Sequence, residues 1–234
     1  MNKEIILEKE LTVVIPSLNE EKTIQICIEK CKKSFEQLNI NGEIIISDNG
    51  STDNTVEYAT KTGAKVIHCD KKGYGNALRE GFRNSSGKYI LMGDADDTYD
   101  FSEIHLLWNK KNDKTGMVIG TRIKGNIEKG AMPFLNRYLG TPVLTFILNL
   151  LYGTKISDSQ CGMRLMKKDC IDNINFKTTG MEFASELLVE FAKHNYEIVE
   201  TPISLYKDEK GRKPHLRPWR DGFRHLYYLI KERF

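Results

Sequence analysis

Apolar residues fall along the chain in two alternating rhythms. Short β-branched runs at residues 11–15, 43–47, 65–68, 89–92 and 117–120 have the length and content of buried strands. Between them lie stretches whose apolar residues recur three and four apart. Ile24, Cys27, Ile28, Cys31 and Phe35 predict an amphipathic helix that opens at Asn19-Glu20-Glu21 and runs to residue 38. Residues 56–60 and 76–83 predict two more helices. Asp48-Asn49-Gly50-Ser51-Thr52-Asp53 reads as a turn leading into a helix cap. Strands alternating with helices at this spacing predict a mostly parallel sheet covered on both faces. In such sheets ligands gather at the carboxyl ends of the strands.

The second half is less regular. Residues 182–193 predict a helix and residues 197–205 a strand. Residues 133–152 are strongly apolar but carry Asn136, Arg137, Pro142 and Asn149, so they fit a core helix pair or a helix lying in a membrane interface. No repeat, low-complexity segment or Ser/Gly linker marks a boundary, and 234 residues read as one domain, 1–234.

Composition narrows the classes. With 40% hydrophobic and 29% charged residues the chain reads as a soluble globular protein, and a net charge of +3 is too small to point to nucleic acid. From Lys207 onward nine lysines and arginines stand against four acids, which fits either a surface that meets an anion or a solvated basic tail. The five cysteines are odd in number and lack metal-type spacing; Cys27 and Cys31 read as small apolar residues on one helix face. A reduced, cytoplasmic setting is expected. The first residues form no signal-peptide core, and no run reaches the roughly 18 apolar residues that span a bilayer.

The candidate chemistry sits at residues 89–98, Tyr-Ile-Leu-Met-Gly-Asp-Ala-Asp-Asp-Thr. An apolar strand ends abruptly in Asp94, Asp96 and Asp97, whose carboxylates repel one another unless a cation lies among them. An Asp-x-Asp pair reaches one hard divalent ion that also holds substrate phosphates; the alternative is a solvated acidic loop capping the next helix. Pro16, Asp48 and Asp94 all fall at predicted strand ends, which favours the metal site. Competing motifs fail. Gly73-Tyr74-Gly75 lacks a third glycine and follows the third strand, and there is no phosphate loop, zinc-spaced histidine pair or Gly-x-Ser-x-Gly elbow.

Val13-Val14-Ile15-Pro16-Ser17-Leu18-Asn19-Glu20-Glu21, the segment Ser47 to Asp53, and Gly93-Asp94-Ala95-Asp96 resemble, in order and spacing, the signatures of family 2 glycosyltransferases. Gly75-Asn76-Ala77-Leu78-Arg79-Glu80-Gly81, Gly120-Thr121-Arg122, the segment Asp158 to Arg164, and Thr179-Gly180-Met181-Glu182-Phe183 resemble the dolichyl/polyprenyl-phosphate hexose synthase branch. The resemblance covers about residues 11–230. It implies an α/β GT-A fold: a single Rossmann-like, mostly parallel sheet with helices on both faces. Residues 1–125 would form the nucleotide-sugar half, and residues 126–234 the acceptor half with a basic C-terminal loop.

The same resemblance implies the site. Pro16, Leu18, Glu20, Ile46, Asp48, Gly75, Arg79, Asp94, Ala95 and Arg217 match nucleotide-binding positions. Asp94 and Asp96 match the pair that holds Mg2+ or Mn2+. Thr98 stands where relatives often place a glutamine ligand, leaving Asp97 or water as alternatives. Arg122, Arg137 and His215 match phosphate-binding positions, His215 in place of a lysine. Asp96, Arg122 and Glu182 are the implied catalytic set. The implied reaction is a metal-dependent, inverting transfer of a hexose from a UDP- or GDP-sugar donor to a polyprenyl phosphate, which is already anionic and needs no base. Two alternatives stand beside it: transfer to a hydroxyl, with Glu182 or Glu186 as base, and an inactive sugar-nucleotide-binding scaffold. Membrane contact would be peripheral, at the cytoplasmic face of a membrane, through residues 133–152 and the arginines and lysine at 212, 213, 217, 220 and 224.

Overall fold

A computed structural model describes residues 8–208 and 218–234. Seven strands, β1 (Leu11–Ser17), β2 (Gly42–Asp48), β3 (Lys65–His68), β4 (Tyr89–Met92), β5 (Thr115–Thr121), β6 (Arg164–Lys167) and β7 (Glu197–Pro202), make one sheet. Their order is β3-β2-β1-β4-β6-β5-β7. Only β6 runs antiparallel to its neighbours, so the sheet is mostly parallel as expected. The β-branched cores of β1 and β2 are buried throughout, which a sheet covered on both faces requires. The helices are α1 (Ile24–Leu38), α2 (Thr55–Lys61), α3 (Tyr74–Arg83), α4 (Ile104–Lys110), α5 (Thr141–Tyr152), α6 (Lys168–Asp172), α7 (Phe183–Lys193) and α8 (Pro218–Lys231). Helix α1 packs with α2 and α4, whereas α7 packs with α3, α5 and α8.

Several expectations shift. Helix α1 begins at Ile24, because the polar residues before it are used to stitch two loops together. Asn19, at φ 59°, accepts from the Thr52 N–H (2.8 Å), and the Glu20 N–H donates to Thr55 Oγ1 (2.8 Å). Strand β1 runs through Pro16, which is tolerated because the β4 pairing has already ended at Val14. Residues 133–152 are not a core helix pair. A π-helical turn, Asn136–Gly140, leads into α5, of which only Thr141, Thr145 and Leu148 are buried, and Phe134 and Phe146 are 77% and 65% exposed. The basic tail forms helix α8 from Pro218; Lys213, His215 and Arg217 lie outside the described residues. Among the described residues no helix is long and apolar enough to cross a membrane.

Candidate active site

The parallel strands β2, β1 and β4 deliver their carboxyl ends to one edge of the sheet. Asp48 closes β2 and is almost wholly buried, its carboxylate accepting from the Gly50 N–H (3.1 Å) and Ser51 N–H (3.2 Å) in an Asx-type turn. His68 Nδ1 lies 3.6 Å from it. Asp48, Gly50, His68, Cys69, Asp70 and Lys72 line a cleft of about 350 Å³. Pro16 is buried, Leu18 is half-buried just past β1, and Glu20 is buried in the turn stitched to residues 51–55. Ile46 is different: it is fully buried two residues inside β2 and belongs to the hydrophobic core.

At the end of β4 the acidic loop is sorted by its partners. Asp97, at φ 61°, turns to an ion pair with Lys30 (2.8 Å), and the same ammonium lies 3.3 Å from Asp100. Asp94 and Asp96 each accept from a hydroxyl, which orients the carboxylate. The Tyr74 hydroxyl donates to Asp94 Oδ1 (3.1 Å); burial and the neighbouring Asp94 push that phenol well above its ordinary range, so it stays a donor. Asp94 Oδ2 lies so near Gly162 that a Cβ there would stand 2.6 Å away, and only glycine fits without a shift. Thr98 donates from its N–H (3.0 Å) and hydroxyl (2.7 Å) to Asp96 Oδ1. Thr98 therefore sits behind Asp96 as its orienting partner, and Asp97 is committed to Lys30. Among the described residues no group of three His, Cys, Asp or Glu gathers around a metal position. Two half-buried carboxylates are nevertheless a fitting donor set for Mg2+ or Mn2+, which keep several waters and complete their shells with substrate phosphate oxygens.

Arg122 follows β5 and is spent internally. Its Nε and Nη2 grip Asp158 at 2.7 and 2.8 Å, and its N–H adds a third bond (3.0 Å). Burial disfavours its charge, but Tyr99 and Asp158 outweigh this and hold the guanidinium above its usual range. Arg164 is fully buried and donates to three carbonyls, those of Ser159 (3.0 Å), Cys161 (2.9 Å) and Ala184 (2.6 Å). Together the two arginines fix residues 158–162, which bring Gly162 against Asp94. Arg137 lies apart, exposed on the π-helical turn over the Tyr138 ring.

A third segment, residues 178–182, wedges between α3 and α8. The Thr179 carbonyl accepts from the Gly75 N–H (3.0 Å), and Gly73, at φ 131°, approaches it so closely that a Cβ would stand 2.2 Å away. Arg79 is half-buried one turn further along α3, and Ala95 is buried beside Asp94. Glu182 Oε1 accepts from Arg224 of α8 (2.7 Å) and from the Gly180 N–H (3.3 Å), whereas its Oε2 is buried without a hydrogen-bond partner among the described residues. Glu186 is occupied on both oxygens, by the N–H groups of Lys177 (2.7 Å) and Thr178 (2.9 Å).

The model of the family described as "Glycosyl transferase family 2" matches residues 12–174. The chain belongs to that family. It is 42% identical over 221 residues to the low-salt glycan biosynthesis hexosyltransferase Agl6 of Haloferax volcanii, a match covering 94% of this chain and 53% of that protein. This family 2 chain thus spans about half the length of that relative. It is also 30% identical to a dolichyl-phosphate hexose transferase of the same organism, covering 86% of this chain and 85% of the other. In structure it is similar to glucosyl-3-phosphoglycerate synthase of Mycobacterium tuberculosis, solved with Mn2+, UDP and glucosyl-3-phosphoglycerate. The TM-score is 0.74 at 19% identity, over 96% of this chain and 80% of that one. The GT-A, α/β expectation therefore holds.

Sequence reasoning missed Tyr74, Lys30 and the role of Asp158. Tyr74 was flagged only by its flanking glycines, whose tight approach to Thr179 is a packing signal. Asp158 stood inside a recognised motif with no local hint that Arg122 was its partner.

Proposed function

We propose that this chain moves a hexose from a UDP- or GDP-linked donor to a polyprenyl phosphate, inverting the anomeric carbon in one in-line displacement. The observation that carries this reading is the placement of the Asp48 cleft and the Asp94/Asp96 pair at the carboxyl ends of β2 and β4, the two strands that flank β1. The dolichyl-phosphate hexose transferase relative supports the acceptor, and the synthase solved with Mn2+ and UDP supports the donor and the ion. Residues 1–125 take the donor, with Asp48 at its base. Residues 126–234 take the acceptor, at the cytoplasmic face of a membrane.

Asp94 and Asp96 would hold Mg2+ or Mn2+, which neutralises the diphosphate leaving group when bound. Tyr74 and Thr98 keep the two carboxylates aimed. Arg122 acts from behind, holding residues 158–162 so that Gly162 closes against Asp94. Arg137 receives the acceptor phosphate. That phosphate arrives as an anion, so no side chain has to remove a proton; the protein brings two mutually repelling reactants into line.

A hydroxyl acceptor is the second reading, favoured by the unpartnered Glu182 Oε2. In that case Glu182, and not the fully occupied Glu186, is the base. The test is to incubate the purified chain with a panel of UDP- and GDP-hexoses and detergent-dispersed polyprenyl phosphate, following products by mass. A hexosyl phospholipid is expected, and Asp96→Ala should lower turnover by about 100-fold or more. Transfer only to a glycan hydroxyl, abolished by Glu182→Gln, would replace the first reading with the second. Donor binding without turnover on any acceptor would leave the scaffold alternative standing.

A further inference from the structure

We infer that the π-helical turn, α5 and α8 together form a plate that docks on an anionic lipid surface. Two apolar stripes define it. Leu135, Leu139, Val143, Phe146 and Leu150 follow one another three or four residues apart and are 44–69% exposed. Phe223, Tyr227, Ile230 and Phe234 repeat the pattern on and just beyond α8 and are 47–95% exposed. The opposite side of α8 is buried, through Asp221, His225, Tyr228 and Leu229, so the helix is amphipathic and its apolar side faces out. The two helices pack together, and the Tyr152 hydroxyl donates to the Leu229 carbonyl (2.7 Å), so both stripes ride on one rigid pair. Eleven of the thirteen large apolar side chains exposed among the described residues lie in this region, whereas monomeric surfaces scatter such residues singly.

Charge identifies the occupant. No Asp or Glu occurs between residues 129 and 157. On α8 and the residues after it, Asp221 is buried and Glu232 is paired with Lys193 (2.9 Å). Arg137, Lys155, Arg220, Lys231 and Arg233 are exposed around the apolar stripes. Arg224 is not among them, because it is turned inward to Glu182. A second copy docked face to face would set this basic rim against itself, since a two-fold interface pairs identical patches. An apolar centre whose exposed charges, among the described residues, are basic matches instead the interface of a bilayer carrying anionic headgroups.

The inference adds to the acceptor reading and is tested without it. The full chain is floated with phosphatidylcholine vesicles, with and without phosphatidylglycerol, in the absence of sugar nucleotide and polyprenyl phosphate. Binding is expected with the anionic vesicles at low salt, falling as ionic strength rises. Phe146→Ser with Tyr227→Ser should weaken it about tenfold or more, because burial of two large side chains is lost. Arg220→Gln with Lys231→Gln should weaken binding to anionic vesicles only. Both pairs lie on the surface, so unchanged thermal unfolding shows that the fold is kept. Wild-type protein that stays with no vesicle at any salt overturns the proposal. So does a solution dimer, by light scattering, that Phe146→Ser and Tyr227→Ser dissociate. Neither result touches transfer to a detergent-dispersed acceptor, so failure of the plate and failure of the proposed reaction are distinguishable.

Discussion

Asp94 and Asp96 each accept from a neighbouring hydroxyl, whereas Asp97 and Asp100 face the Lys30 ammonium. The buried Arg122–Asp158 fork is the other decisive pair. Removing one partner strands a buried charge, so Asp158→Ala should lower stability by about 3–5 kcal/mol in urea unfolding. A loss below about 1 kcal/mol would mean that the loop does not depend on the fork. Asp48 does two jobs, since its carboxylate also ties Gly50 and Ser51. Asp48→Ala should weaken donor binding by about 1–3 kcal/mol in calorimetry, the cost of leaving buried partners unmade. Unchanged affinity would remove Asp48 from the nucleotide site.

At the scale of elements, α3 links the segment at residues 178–182 to the acidic loop, because Gly75 binds Thr179 and Tyr74 binds Asp94. Tyr74→Phe deletes one hydrogen bond without a change of shape. It should raise the Mn2+ concentration needed for half-saturation several-fold, read by ion binding, with the melting temperature nearly unchanged. Unaltered Mn2+ affinity would show that Asp94 needs no such brace. The parallel strands were legible because β-branched runs closed by turns announce themselves, and the acids stood out because charge follows an apolar run so abruptly. Strand β6 was not, since it is four residues long and begins with Arg164, a charged residue that reads as surface yet lies in the core. Helix α5 misled in the opposite sense, because an apolar face does not say whether protein or lipid covers it. The partners of the site were hidden by distance: Tyr74 is 20 residues from Asp94, and Asp158 is 36 from Arg122.

Over the whole molecule, His225 adds a contribution of definite sign to how stability responds to acid. It is buried against Ser185 Oγ (2.8 Å), with Glu182, Asp221, Arg164 and Arg224 nearby, and burial pushes its pKa down to about 4 from an ordinary 6.5. Between those two values the unfolded chain binds a proton that the folded chain refuses, so stability is full above pH 6.5 and falls as pH drops toward 4. The loss is at most roughly 3 kcal/mol. Subtracting the curve of His225→Gln from that of the wild type, by denaturant unfolding at each pH, should isolate a term of this sign. A difference that stays flat would refute the assignment.

The five cysteines are all buried, and burial raises every thiol, Cys161 to about 12. Since the thiolate is the reactive form, burial makes Cys27, Cys31, Cys161 and Cys170 poor targets for maleimides and mild oxidants, whereas Cys69 borders the Asp48 cleft. With Cys69 replaced by serine, the molecule should serve as its own blank for labelling chemistry. In that background a single replacement, Phe146→Cys or Tyr227→Cys, should be the thiol that takes a spin label or an environment-sensitive dye. Its spectrum would then report how deep each helix sits, with little background from the rest of the protein.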